Sequence, residues 1–510
     1  MAPHDGHHIG VPVTAPPSRL RRLLADRPAL ILAAFSVLIA LILVLNQGSM
    51  FYAVALIALI LALLVTFYRI DWGFYLFMGL VLLFDQYPPR GYESSIIGLE
   101  YFENLKGFDI FSRIDWAVAN PLELHLFLII GLWVILIVMR KRLFYQRVPF
   151  WQLAAIFFGW LLISLTYGMA TGGDFLPALW ELRSLFYVGI LYFFVPQIIQ
   201  RPEQVRTFVR VCIAAISFKA VQGVARVIRL GFDFGGRTEL TNHEDPLFFA
   251  GLFMLFFALS MFGVKTKERT YLRWALPFIA VVFILAQRRA TYGAFGVGFV
   301  AYSLLLTGAQ FRRILRYVLP GLVLLGIYLA VFWDNETSIG LPAQLIKSSF
   351  SSTQETAGER YYSNLYREFE NYNLSQTIQR SPIFGIGFGN KYDQPISLAM
   401  IPFSLRDYIS HNEIFWLIVK SGAIGFFLFW LYLDIVVMYT THIFRRMTDP
   451  YFKAVCVMII VAVFGQLIVS FYDLQLTYSR NMVYLGAMMG LLPTLDRIAD
   501  GQAAGKGSAG

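Results

Sequence analysis

The sequence predicts an all-α polytopic membrane protein, and two observations carry that class. Of 510 residues, 57% are hydrophobic and only 15% charged, a balance that no water-soluble domain of this length keeps in solution. Runs almost free of charge, each long enough to cross about 30 Å of hydrocarbon, recur from end to end. A soluble enzyme is excluded, so length counts helices and not soluble domains. The net charge of +10 falls mostly in alternate loops, which makes it an orientation signal and not a nucleic-acid patch.

The elements follow in order. An arm, residues 1–28, carries Arg19, Arg21, Arg22 and Arg27 before the apolar run from Ala29 to Leu45, which reads as an uncleaved first span. His4, His7 and His8 in that arm read as a solvated tail in preference to a metal site. Further spans are expected at Met50 to Phe67, Trp72 to Phe84, Leu122 to Met139, Phe150 to Thr166 and Leu179 to Pro196. The second half adds Val211 to Val227, Leu247 to Phe262, Ala275 to Ala286, Ala290 to Leu306, Tyr317 to Trp333, Glu413 to Tyr439, Tyr451 to Ser470 and Thr477 to Leu492. That makes about fourteen, the third and ninth short enough for one to be re-entrant. The organisation is then an N-terminal bundle over 29–274, a central segment over 275–439, C-terminal helices over 440–492 and a flexible cytoplasmic tail over 493–510, rich in Gly, Ala and Ser. Cys212 and Cys456 lie inside apolar runs and suggest no disulfide framework.

Orientation is testable on this scheme. Arg140, Lys141, Arg142 and Arg147 share one loop, and Arg201, Arg206 and Arg210 the next but one. Lys265, Lys267, Arg269 and Arg273, then Arg312, Arg313 and Arg316, then Arg445 and Arg446 continue the alternation. All fall on one side if both termini are cytoplasmic, as the positive-inside rule requires.

Three connections on the other side are too long for turns: Asp85 to Pro121, Gly231 to Pro246 and Asp334 to Ser410. Loops of that length are functional or disordered. The longest argues for order, because Tyr361, Tyr362, Leu365, Tyr366, Phe369, Leu374 and Ile378 recur mostly at helical steps. Such a tyrosine-rich amphipathic helix either covers the bundle or meets lipid or substrate, and the two are compatible.

Ionisable groups at the outer mouth of the bundle are the candidates for chemistry, since a charge at mid-helix costs about 2.5 to 3.5 kcal/mol on the mildest scale. Arg288 and Arg289 interrupt an apolar hairpin at its outer turn, where positive charge runs against the inside bias. Their forked donors suit phosphate oxygens, on a ligand or on lipid headgroups. Arg183 is a second outer cation; Glu181, two residues away, lies off its helix face, so Arg183 needs another partner, which a phosphate would supply. His411 opens a long span directly after the largest outer loop and is the candidate base. His125 reads as a core histidine and His243 as a solvated loop residue or a ligand, solvation favoured. Lys219 and Lys420 sit mid-span, Lys420 roughly 13 Å below the start of its helix, and structural pairing is favoured for both.

Residues 411–425, His-Asn-Glu-Ile-Phe-Trp-Leu-Ile-Val-Lys-Ser-Gly-Ala-Ile-Gly, resemble the HNxxLxxLxExGxxG signature of the O-antigen ligase and O-antigen polymerase superfamily. The stretch Arg380-Ser-Pro-Ile-Phe-Gly-Ile-Gly-Phe-Gly-Asn390 resembles the PxxGxGxG turn that precedes it, and Gln287-Arg288-Arg289-Ala290 the family's Ser-Arg turn between two spans. The resemblance covers about 275 to 435, and within it Lys420 replaces the usual acid and Arg288 the usual Ser.

The resemblance implies a GT-C-type membrane glycosyltransferase in the bacterial plasma membrane, with a polyprenyl (undecaprenyl) diphosphate-linked glycan as donor, a glycan or lipid-linked hydroxyl as acceptor, no cofactor and no metal. His411 would be the catalytic base, Arg289 with Arg288 and Arg183 would hold the diphosphate, and Asn412 and Lys420 would be further substrate contacts. A polymerase or a protein O-oligosaccharyltransferase of the same superfamily fits the same motifs. The rival of a different class is a transporter or lipid-linked glycan flippase, for which mid-depth Lys219 and Lys420 are the best evidence.

Overall fold

Lipid offers no partner to a bare peptide group, so an apolar run that enters it becomes helical. A computed structural model describes residues 36–41, 44, 50–86, 101–107, 118–140, 146–231, 240–286, 288–335, 340–350, 359–401 and 403–507, and among them the regular structure is entirely helical. The 1–28 arm, Gln287 and stretches of all three long loops lie outside the described residues.

The chain forms two units, Met1–Leu64 and Val65–Gly510. Helix α1 (Met50–Tyr68) crosses that boundary. After it come α2 (Ile70–Leu83), α3 (Pro121–Arg140), α4 (Trp151–Ala170), α5 (Phe175–Ile198), α6 (Pro202–Arg229), α7 (Asp245–Met261), α8 (Lys267–Leu285), α9 (Arg289–Leu304), α10 (Gly308–Phe332), α11 (Leu341–Phe350), α12 (Glu359–Arg380), α13 (Glu413–Arg446), α14 (Pro450–Tyr472), α15 (Ser479–Gly490) and α16 (Leu492–Gly507). Among the described residues seven of these, α3 to α6, α10, α13 and α14, are long and apolar enough to span a membrane, with shorter apolar helices at Leu59–Tyr68, Ile70–Leu83 and Asp245–Met261. The chain is a polytopic membrane protein.

In the second unit α14 is the axis: Ala454 to Val463 are buried throughout, enclosed by α7, α9 and α13. Two ends of this bundle are recognisable. At one, Arg206 pairs with Asp449 at 3.2 Å, Arg210 with Glu268 at 2.7 Å, and the Phe262 and Phe444 rings meet at 5.9 Å. At the other lie the start of α9, the start of α13 and the end of α14.

Mid-span charges are neutralised by partners no local pattern reveals. Lys219 meets Asp85 at 2.5 Å and Asp245 at 3.7 Å, and buried Arg480 donates to Asp245 and Glu244 and to the Val81 and Leu82 carbonyls. This closed network is what a low-dielectric interior demands of a charge. Lys420 pairs with Glu181 at 2.7 Å, both fully buried.

Helix α13 is broken at Gly422, whose φ of 67° and ψ of −175° lie outside helical space. The glycine turn at 385–389 docks into that break. Ile386 N–H donates to the Val419 carbonyl at 2.8 Å and Gly387 N–H to that of Lys420 at 3.1 Å, while Ser164 and Trp160 supply donors to Lys420 and Ser421. A Cβ on Gly387 would lie 2.4 Å from the Gly168 Cα, so only glycine lets α4 approach.

The C-terminal segment differs from the expected flexible tail. Residues 492–507 form α16, with Leu495 and Ala499 buried and Asp496 accepting from Arg446 at 3.0 Å and from the Tyr439 hydroxyl at 2.5 Å. Small residues mark the segment as loose in composition, yet an apolar stripe and one aspartate suffice to dock it.

Candidate active site

His411, Asn412 and Glu413 occupy one turn and point three ways. Asn412 caps α13, its Oδ1 accepting from Phe415 N–H at 3.2 Å, and its Nδ2 donates to Asn371 Oδ1 on α12 at 3.1 Å. Buried Glu413 accepts from the backbone N–H groups of Gln475, Leu476 and Thr477 and from the Thr477 hydroxyl. That grip fixes the connection between α14 and α15, and with it Asp473. His411 is left facing outward, 22% exposed, with both Glu370 oxygens 3.2 Å from its Nδ1 and the Glu370 Oε2 accepting its backbone N–H at 2.9 Å. Glu370 itself is buried, and the Tyr366 ring packs edge-on to the imidazole at 5.6 Å.

His411 opens onto a cavity of about 740 Å³ that Arg288, Arg289, Arg367, His243 and Asp473 also line. The start of α9 brings its two arginines there, together with the positive end of its helix dipole. Arg289 donates to Asn364 Oδ1 at 2.7 Å. Arg288 donates to His243 Nε2 at 2.8 Å and lies 3.8 Å from Asp473 Oδ2. Burial opposes ionisation of Asp473, but the His243 imidazole and the charges of Arg288 and Arg367 outweigh it and hold the carboxyl well below the usual range. Burial, with the Glu370 charge adding to it, pushes the Tyr366 phenol up to about 12.

Of the residues singled out from sequence, His411, Asn412, Arg288 and Arg289 line this one cavity, although 122 positions separate Arg289 from His411. Arg183 and Lys420 do not line it. Arg183 is buried against Glu123 at 3.1 Å, donates to Asn104 and the Val118 carbonyl, and stacks on Trp180 at 4.9 Å. Protein groups thus supply the partners it needs. Lys420 is enclosed by Glu181 and the Asn390 carbonyl and reaches no substrate surface. His125 is a core residue, its Nδ1 3.0 Å from the Tyr101 hydroxyl. His243 accepts from Arg288 and lines the cavity, so it differs from the solvated loop residue that the sequence favours.

Sequence reasoning did not single out Arg367, Glu370, Asn364, Asn371 or Asp473. For the α12 residues a signal existed: Asn364, Arg367 and Asn371, with Glu370 beside them, recur at helical steps as a polar stripe. The apolar face of α12 packs on α13, through Leu374 against Val419 and Tyr392, so the helix both covers the bundle and turns that stripe to the cavity. Asp473 carries no local pattern at all. Among the described residues no group of three or more His, Cys, Asp or Glu could hold a metal ion.

Residues 274–430 match the family model Wzy_C, described as O-Antigen ligase. The match takes in Arg288, Arg289, α12 and His411, and leaves His243 and Asp473 outside it. A comparison with curated proteins finds no match.

Proposed function

We propose that this membrane protein, which carries an O-antigen ligase domain over residues 274–430, is a GT-C-type glycosyltransferase of the ligase kind. It moves a glycan from a polyprenyl diphosphate carrier to an acceptor hydroxyl at the outer face of the bacterial plasma membrane, through a bundle of about fourteen spans with both termini cytoplasmic. The observation that supports this best is one cavity holding both an imidazole backed by a buried carboxylate and two adjacent arginines at a helix start.

A carboxylate against Nδ1 selects the tautomer with the proton there and leaves the Nε2 lone pair for the cavity. The acceptor oxygen attacks the anomeric carbon, His411 Nε2 takes its proton, and the bond to the phosphate oxygen breaks with its electron pair leaving on the diphosphate. Arg289 and Arg288, already fixed by Asn364 and His243, stabilise that growing charge without reorganising. A single displacement inverts the anomeric centre. Arg183 and Lys420 act as scaffold.

The test uses purified protein with lipid-linked glycan and acceptor. Release of polyprenyl diphosphate is expected from wild type, none from His411→Ala in protein that still inserts, and donor use is weakened more by Arg289→Ala than by Arg289→Lys. A transporter releases no diphosphate, and equal activity in all variants removes this site.

A further inference from the structure

A guanidinium N–H only donates, so the His243 Nε2 that sits 2.8 Å from Arg288 must be the unprotonated nitrogen of a neutral imidazole. The ring proton is then on Nδ1, the atom facing Asp473 Oδ2 at 3.5 Å. The same carboxylate lies 3.8 Å from Arg288, and its own position follows from Glu413, which grips the adjoining backbone at 475–477. The His243 backbone N–H is tied to Asn242 Oδ1 at 2.7 Å, and the next two residues, Glu244 and Asp245, are locked to Arg480. A loop residue with this much support on both sides is not a solvated one.

The cavity therefore holds two carboxylate-backed imidazoles in opposite duties. Glu370 backs His411, whose other nitrogen is left for a hydroxyl. Asp473 backs His243, whose other nitrogen is committed to an arginine. Resting on the reading of the cavity as a diphosphate site, we propose that His243 is a positioning residue that holds the Arg288 guanidinium toward the diphosphate by accepting its Nη2 hydrogen bond, with Asp473 selecting the tautomer that can accept. It acts through Arg288, as an acceptor and not as a proton donor to the leaving group. The match to the ligase family stops short of it, since 274–430 excludes both His243 and Asp473.

Glutamine and methionine are close in shape at this position, and only glutamine places an acceptor where Nε2 lies. Binding of undecaprenyl diphosphate to full-length protein in detergent is the measurement. His243→Met should weaken binding roughly tenfold or more, the worth of one hydrogen bond to a charged group, while His243→Gln stays near wild type. In the Arg288→Ala background, His243→Met should add nothing further to the loss of binding, because its effect on the ligand runs through that arginine. Equal weakening by Gln and Met, or a His243→Met effect that adds in full to Arg288→Ala, overturns the proposal. His243→Ala takes the place of Met if the latter is not recovered folded. Wild type that does not bind, or Arg288→Ala and Arg289→Ala that bind as wild type, overturns the diphosphate reading itself; loss with those two and none with His243→Met removes this inference alone.

Discussion

An imidazole beside a carboxylate has its tautomer chosen for it, and the Glu370 and His411 pair makes that choice matter for rate. Glu370→Gln keeps the shape and removes the charge that orients the ring and stabilises the imidazolium. The expected result is a fall in kcat of roughly ten- to hundredfold with donor KM unchanged; an unchanged kcat would mean that Glu370 does no more than cap the 411 backbone. Asp473 sets an acid limit in the same cavity. Its folded pKa lies below the unfolded value of about 3.9, so its ionic contribution is complete above that value and is lost only as pH falls through the folded one. The melting difference between wild type and Asp473→Asn should accordingly persist from pH 8 to pH 5 and close only in stronger acid. Closure already between pH 7 and pH 5 would contradict the arrangement.

Helix α13 is useful because it is broken. The interruption at Gly422 frees carbonyls that the glycine turn and α4 then take up, so the span is anchored at mid-length, below the turn that presents His411. The Lys420 and Glu181 pair, with Gly389 N–H donating to Glu181 at 2.6 Å, ties that break to α5. Removing one partner of a fully buried pair strands the other, at a cost of about 3 to 5 kcal/mol. Lys420→Met should therefore sharply reduce folded protein, and Lys420→Met with Glu181→Leu should restore much of it. If the double variant is no better than the single, the pair is not the reason Lys420 sits where it does. The Lys at this position, where the resembling signature has an acid, has its counter-ion supplied by α5.

At the scale of the molecule, the cavity and the basic loops lie at opposite ends of one bundle. Both native cysteines are buried, so single cysteines can report the two faces cleanly. Tyr362→Cys, on α12, should react with a membrane-impermeant maleimide from outside intact cells, and Thr448→Cys only after the membrane is opened. Reaction of Thr448→Cys from outside would invert the topology and put the chemistry on the wrong face.

Hydrophobic periodicity was enough for the class, because that is a local property of the chain: lipid reads composition in windows of one span. Local pattern also singled out His411, Arg288 and Arg289, which the structure brings to one cavity. The amphipathic helix at 359–380 was legible for the same reason, through its tyrosines. Partnership was not. Glu123 for Arg183, Glu181 for Lys420, Asp85 for Lys219, Glu370 for His411 and Asp473 for His243 join positions 41 to 239 residues apart, and nothing in a window of sequence states which acid a buried base will meet. Packing between helices settles that, since a charge in a low-dielectric interior takes the counter-ion that the neighbouring helices bring to it.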